Sequence, residues 1–343
     1  MNFASDNTTG AAPEILAALE RANDGRLMPY GNDDLTRAAE KAVADLFETD
    51  AKVFFVATGT AANSLALSAM APPFGGIYCH ETAHINDSEC GAPEFFAGGA
   101  KLLPIAGAHG KIAAKDLDAA LAQVPPGRVH HVKPAAVSIT QATETGAVYP
   151  LDEVTAIAEV CRKRRVRLHM DGARFANAVA ALGCSPAEAT WKAGVEALSF
   201  GATKNGVLTA EAVVLFAADL ANDFAFRRKR AGHLFSKMRL LSAQMAAYVK
   251  DDLWLRNARQ ANAMAARMAK GLAAIDGVSL THPVEANILF PRLTKPMIAG
   301  LKKDGYGFYE RGGDGVVRLV MAYDTRPEDV DGFLASARRH PKG

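Results

Sequence analysis

Apolar positions along this chain recur at two spacings, and the chain switches between them many times. Short, mostly apolar runs at 53–56, 101–105, 135–139, 166–170, 196–200 and 213–216 are too brief for helices and read as buried strands. Between them apolar residues return every three or four positions, as in Ile15, Leu16 and Leu19 after Pro13, and at 36–47, 115–121 and 152–163. That spacing lays one apolar stripe along a helix. Buried strands alternating with helices predict an α/β fold around a mainly parallel sheet. A basic cluster, Arg227, Arg228, Lys229 and Arg230, opens what reads as one long helical region through Val249, while Pro125, Pro126 and Gly127 mark a loop. From Asp251 the rhythm changes to a helix at 256–275, short strands at 278–280 and 287–290, a helix from Pro296, a strand at 316–320 and a last helix from Pro327. A chain of 343 residues is too long for one ordinary core. We therefore expect two domains, a large one at 1–250 and a smaller α/β one at 251–343.

Composition narrows the function. Hydrophobic residues make up 49% and charged residues 22%, as in a soluble globular protein, and a net charge of +2 gives no strong attraction to nucleic acid or membrane. The uncharged stretch 53–78 is interrupted by Thr58-Gly59-Thr60, Asn63, Pro72-Pro73 and Gly75-Gly76, so it reads as strand, loop and helix and not as a membrane span. The first residues lack the basic and then apolar order of a signal peptide, which predicts a cytoplasmic protein. Cys79, Cys90, Cys161 and Cys184 show no paired spacing, which argues against zinc and against disulfides.

Two strand ends carry the candidate chemistry. The run 166–170 delivers Asp171 just before Gly172, and the run 196–200 ends close to Lys204. A carboxylate and an amine would thus project from the same edge of a parallel sheet, where open α/β folds bind ligands. Pyridoxal phosphate (PLP) wants this pair: its aldehyde condenses with a lysine, and its ring nitrogen stays protonated beside an anion. Arg174 could reach the ring's phenolic oxygen. The plain alternatives are a helix-capping Asp171, a surface Arg174 and a solvated loop Lys204. Upstream, 57–63 forms a small-residue turn into a helix, where Gly59 and Thr60 would offer N–H groups and a hydroxyl to a phosphate. Downstream, Arg318 lies among apolar neighbours in its strand, a costly position unless a carboxylate binds it in two-pronged geometry.

The segment His169-Met-Asp-Gly-Ala-Arg-Phe-Ala-Asn-Ala178 resembles the signature of the L-threonine aldolase family, PLP enzymes of the aspartate aminotransferase fold type, and the resemblance extends over nearly the whole chain. It implies a seven-stranded PLP domain with a smaller C-terminal domain, assembled as a homotetramer with sites between subunits. It further implies that Ser5 helps hold the substrate carboxylate with Arg318, that Tyr30 sits near the cofactor of its own or a neighbouring subunit, and that His84 stacks on the PLP ring. Counting back from Gly146-Ala-Val-Tyr-Pro150 places His131 at the family's substrate-hydroxyl histidine, so that His131 or His84 would be the base. One of Arg227, Arg228, Lys229 and Arg230 would reach the phosphate. The implied reaction is reversible cleavage of L-threonine, L-allo-threonine and related β-hydroxy-α-amino acids such as β-phenylserine to glycine and an aldehyde. A β-eliminating lyase or an aminotransferase of the same fold type is the alternative. Two stretches depart from the family pattern: 140–145 replaces the usual Glu-Asn-Thr-His-Asn, and Thr203-Lys204-Asn205-Gly206 replaces Ser-Lys-Gly-Leu-Gly.

Overall fold

Strands that are buried on both faces need helices on both sides, and the chain supplies them. The structure, a computed structural model, describes residues 1–125 and 127–340; Pro126, in the expected loop, lies outside the described residues. Seven strands form the large sheet: β1 (Lys52–Val56), β2 (Gly75–His80), β3 (Lys101–Ile105), β4 (Lys133–Thr140), β5 (Arg167–Gly172), β6 (Ala197–Phe200) and β7 (Glu211–Leu215). Their order is β1-β7-β6-β5-β4-β2-β3, all parallel except β7, which is antiparallel to both its neighbours. Successive side chains point to opposite faces. Leu168, Met170, Leu198 and Phe200 therefore enter one apolar core with the helices Asp34–Asp45, Leu151–Arg164 and Arg239–Val249, while Ala136, Ala197, Val213 and Leu215 pack on the other side against the helix Gly59–Met70.

A second, smaller sheet follows. β8 (Ser279–Leu280), β9 (Ile288–Leu289), β10 (Pro291–Arg292), β11 (Tyr309–Arg311) and β12 (Val316–Val320) are arranged β11-β12-β10-β8, with β9 also on β12. The long helix Leu253–Ala273 joins the two units: Trp254 and Ala258 belong to the large core, and Met264, Met268 and Leu272 to the small one. The N-terminus also crosses over. Phe3 is 0% exposed inside the small core, edge-on to Phe333 at 5.5 Å, and Asn2 bridges to Gly307. Burying such a ring contributes about 1.5–3 kcal/mol, and it pins residues 4–7 at the junction between the two sheets.

The single helix expected from Arg227 through Val249 is broken. It ends as Phe224–Arg230 and restarts as Arg239–Val249, because Gly232 takes a left-handed backbone (φ +79°) and its N–H turns back to the carbonyl of Lys229. The uncharged stretch 53–78 is strand, helix and strand, and among the described residues no helix is long and apolar enough to cross a membrane. All four cysteines are free.

Candidate active site

The ends of β4, β5 and β6 lie side by side, with Thr140, Asp171 and Ser199 in register. His169, two residues before Asp171, pins them: its Nδ1 pairs with Ser138 Oγ and its Nε2 with Ser199 Oγ, each at 2.9 Å. Burial pushes this imidazole down to about 4, so it is a neutral core residue. Asp171 is 3% exposed; its Oδ1 accepts from the Ala173 N–H (3.0 Å) and its Oδ2 from Asn63 Nδ2 (2.8 Å). Glycine is required where β5 and β6 leave the sheet. A Cβ on Gly201 would stand 2.6 Å from the backbone of Ala173, and one on Gly172 would stand 2.7 Å from the Ser199 carbonyl.

Lys204 follows in the one-turn helix Thr203–Asn205. The turn is anchored from below: Asn205 Nδ2 donates to Tyr248 Oη and to the Trp254 carbonyl, both at 2.8 Å, and the Asn205 carbonyl accepts from Asn257. Phe200 supports it edge-on to Phe47, Phe175 and Trp254. Among the described residues nothing hydrogen-bonds or ion-pairs with the Lys204 amine. Burial, and then the charge of Arg174, hold it below the ordinary lysine range, against the opposing pull of Asp6, Asp171 and Glu211.

These groups open into a cleft of about 340 Å³. The helix Gly59–Met70 points its N-terminus into the wall; Thr58 caps it by accepting from the Ala61 N–H, and a Cβ built on Gly59 would meet only open space. Thr60 lines the same wall, as does Thr209, which donates to the Ala57 carbonyl. His84 begins a short helix, His84–Asp87; its backbone N–H donates to Glu144 Oε1 (2.9 Å) and its Nδ1 meets Glu89 Oε1 (2.8 Å). Asn63 Nδ2 donates to both Glu89 and Asp171, so His84, Glu89, Asn63 and Asp171 form one connected chain. The bond to Glu89 raises the pKa of His84. Burial pushes Glu144 and Glu211 up to about 7 each.

Arg174 is held in two-pronged geometry by Asp6, Nε to Oδ2 at 2.8 Å and Nη2 to Oδ1 at 2.9 Å, and Asn287 also donates to Asp6. Burial pushes the Asp6 carboxyl up, but Arg174, Lys204 and Asn287 outweigh it and leave the group below its usual range. Arg318, on β12, donates to the Ala4 carbonyl at 3.1 Å and has no carboxylate partner among the described residues. Burial, with Arg174 nearby, lowers it to about 10.

Gly59, Thr60, His84, Asp171, Arg174 and Lys204 thus share one cleft. Arg318 and Ser5 stand beside it; the Ser5 hydroxyl caps a one-turn helix by accepting from the Asn7 N–H, and Asn7 lines the cleft. His131 does not join them. It lies at the start of β4 in a separate depression lined by Tyr78, Lys101 and Gln123, whereas the cleft lies at the other end of that strand, at Thr140. An eight-residue strand spans roughly 26 Å at 3.3 Å per residue, so His131 cannot reach Lys204 within one chain. Tyr30 is 44% exposed and outside the cleft, with Lys229 Nζ 4.8 Å above its ring. None of Arg227, Arg228, Lys229 and Arg230 lines the cleft; Arg228 is buried against the Phe54 ring and donates to the Phe55 carbonyl. Asn63, Glu89, Glu144 and Glu211 carry no role assigned from sequence alone, yet all four line the cleft, and Asp6, beside Ser5, reaches it through Arg174.

A mainly parallel sheet with an acid and a lysine on neighbouring strand ends defines the class: the fold is that of the PLP-dependent enzymes of fold type I. A family model described as beta-eliminating lyase matches residues 2–294. The chain is 48% identical to the low specificity L-threonine aldolase of Pseudomonas aeruginosa, covering 96% of this chain and 94% of that protein. It is 46% identical to the low specificity L-threonine aldolase of a Pseudomonas species, covering 98% and 96%. The structure of Leishmania major threonine aldolase superposes with a TM-score of 0.92 at 30% identity, covering 98% of each chain. The chain belongs to the beta-eliminating lyase family and, within it, to the low-specificity L-threonine aldolases.

Proposed function

We propose that the cleft binds PLP and cleaves L-threonine, L-allo-threonine and related β-hydroxy-α-amino acids reversibly to glycine and an aldehyde. The observation that carries this reading is the buried Asp171 beside an amine, Lys204, that no side chain among the described residues hydrogen-bonds or ion-pairs with. The donor set fits the cofactor: open space and unpartnered N–H groups at Gly59 and Thr60 suit a phosphate, Asp171 suits a protonated ring nitrogen, and the lowered pKa of Lys204 suits attack on an aldehyde. When bound, PLP supplies an electron sink for the pair released from the Cα–Cβ bond.

The chain's own residues do the rest. Lys204 would hold the cofactor. Asp171 keeps a proton on the ring nitrogen, and Asn63 and Ala173 fix its two oxygens for that task. His84, oriented by Glu89, presents its ring to the cleft, and Arg174 stands ready to hydrogen-bond the cofactor's phenolic oxygen. Arg318 and Ser5 hold the substrate carboxylate, which supplies the anion that Arg318 lacks. Tyr30 would serve the cleft of a neighbouring copy in a homotetramer. The division at 250/251 and a cytoplasmic location belong to the same reading, and four unpaired thiols suit a reducing compartment.

Acetaldehyde release from L-threonine and L-allo-threonine, coupled to an alcohol dehydrogenase while glycine is quantified, tests the reading. Equal amounts of the two products are expected. A 2-oxo acid in place of acetaldehyde would move the protein to a lyase or aminotransferase of the same fold.

A further inference from the structure

Aldol cleavage needs a group that takes the proton from the substrate's β-hydroxyl, and with His131 beyond the start of β4 its own chain's cleft has to offer a different one. Most titratable side chains in its wall are committed. Asp171 accepts on both oxygens, Arg174 is gripped by Asp6, and Lys204 is assigned to the cofactor. Glu211 accepts from the Ala202 N–H at 2.6 Å, on the Lys204 side, and Glu89 Oε1 is shared by His84 and Asn63.

Glu144 differs. What sets it apart is a hydroxyl between it and the cleft: its Oε1 accepts from the His84 N–H and from Thr140 Oγ1 (3.0 Å), and its Oε2, like that of Glu89, is buried with no partner among the described residues. Thr140 also lines the cleft. A hydroxyl has one hydrogen and two lone pairs, so Thr140, donating to Glu144, can accept from a substrate hydroxyl at the same time. The loop that carries Glu144 is held firmly: Gln141 and Tyr149 bond reciprocally, Thr143 donates to the His109 carbonyl, and Val148 donates to Glu285.

We propose that Glu144, acting through the Thr140 hydroxyl, accepts the proton of the substrate's β-hydroxyl; this rests on the aldolase reading of the same cleft. The substrate O–H bond breaks and its proton goes to the Thr140 oxygen as Thr140 passes its own to Glu144 Oε1. The electron pair left on the hydroxyl oxygen becomes the aldehyde C=O. The Cα–Cβ pair departs to Cα, where a proton later replaces it and completes glycine. The reverse sequence delivers the proton during synthesis.

The surroundings suit a group that changes charge near neutrality. Facing Glu144 are Asp171 from β5, His84 from the segment after β2, Cys79 from β2 and Tyr149 from its own loop. None is a permanent cation. Burial first, and then the like charge of Asp171, raise the carboxyl to about 7. The accepting form is the carboxylate, so cleavage should rise with pH through that value.

The test uses Glu144→Gln and Thr140→Val in the PLP-loaded protein, with two reactions measured side by side. Cleavage of L-threonine needs the hydroxyl proton removed; exchange of the glycine α-proton into D2O does not. Glu144→Gln, which keeps an acceptor oxygen for His84 and Thr140, should lower cleavage by roughly 10²–10⁴, abolish the rise with pH near 7 and leave glycine exchange intact. Thr140→Val should share the loss of cleavage. In the cofactor-free protein, the infrared difference between wild type and Glu144→Gln should contain a protonated-carboxyl band that disappears above about 7. Wild-type cleavage rate and pH profile in Glu144→Gln would overturn the proposal and leave His84 as the base. Loss of exchange together with cleavage would overturn it in favour of a structural role. A wild type that performs neither reaction would sink the reading of the cleft itself.

Discussion

One strand, β5, begins at Arg167 and reaches Asp171 near its other end, and the two ends treat charge in opposite ways. At the start, Arg167 reaches both Glu196 and Asp219, all partly exposed, and although burial opposes it these carboxylates hold the guanidinium above its ordinary range. Every charge there has an opposite neighbour and water besides. At the far end Arg174 and Asp6 match each other, but the other charges do not. Lys204 and Arg318 have no acidic partner within bonding distance among the described residues, and Glu144 and Glu211 are too buried to ionise at their usual pH. Charges that only stabilise a fold find partners in the fold; charges left unmatched in a cleft await partners from a ligand.

The largest effect should come from removing the amine. Lys204→Ala should reduce cleavage by more than the roughly 10²–10⁴ typical of a single acid–base group, because it takes away the attachment point as well as a proton carrier. Borohydride treatment of the PLP-loaded wild type followed by peptide mapping should label Lys204. A label on Lys229 or any other lysine would transfer the site elsewhere and erase the contrast between the two ends of β5.

Much of the cofactor end of this contrast is legible in the amino-acid sequence because its signals are local. An apolar run ending in Asp171-Gly172, a second run shortly before Lys204, and a small-residue turn at Gly59 and Thr60 each announce a strand end or a helix start within a few residues. The buried carboxylates are not legible in that way, since their burial is made by residues far apart: Asp6 meets Arg174 across 168 positions, and Asn63 meets Asp171 across 108. Glu144 leaves one trace. It lies where the chain departs from the family pattern, and an ionisable residue in a substituted site loop invites a question about its protonation. The assignment of His131 rests on counting back from Gly146 across the strand read at 135–139, a count that keeps position in the chain but not direction along the sheet. That strand carries the histidine to the opposite edge of the sheet. The break at Gly232 is hidden because the apolar spacing on its two sides is compatible with one continuous helix.

A pair of substitutions at Arg174 and Arg167 sharpens the comparison in stability. Arg174→Ala strands the buried Asp6 and should lower the stability of the cofactor-free protein by about 3–5 kcal/mol; Arg167→Ala breaks partly exposed pairs and should cost about 0–1 kcal/mol. Urea unfolding measures both. The sign of the pH dependence separates them further. In the wild type Asp6 titrates below its unfolded value, so its stabilisation is present above the ordinary carboxylate range, about pH 4, and is lost as pH falls through the depressed folded value. Without Arg174, burial dominates and raises the folded pKa, so the ionised form becomes a liability as pH rises. The deficit of Arg174→Ala should therefore be widest at neutral pH and narrow in acid. Equal losses at the two arginines, or a deficit that does not vary with pH, would show that Asp6 and Arg174 are not the tightly coupled pair their geometry indicates.

The smallest effect concerns His131, and it bears directly on which edge of the sheet does chemistry. His131 is half a domain from Thr140 along β4, faces a depression shared with Tyr78, Lys101 and Gln123, and makes no side-chain hydrogen bond among the described residues. Its replacement removes no buried partner and uncovers no charge, so surface-level effects on stability, within about 0.5 kcal/mol, are expected. His131→Phe should accordingly leave the rate of L-threonine cleavage, its pH profile and the ratio of threo to erythro cleavage where they are in the wild type. Glu144→Gln, at the other end of the same strand, should change the first two. If His131→Phe instead depresses cleavage or shifts the isomer ratio while Lys204 still takes the borohydride label, the histidine must enter the cleft of a neighbouring copy. The edge that looks inert within one chain would then be catalytic in the assembly, a result that sedimentation under the assay conditions and mixed oligomers of His131→Phe with Lys204→Ala chains would confirm.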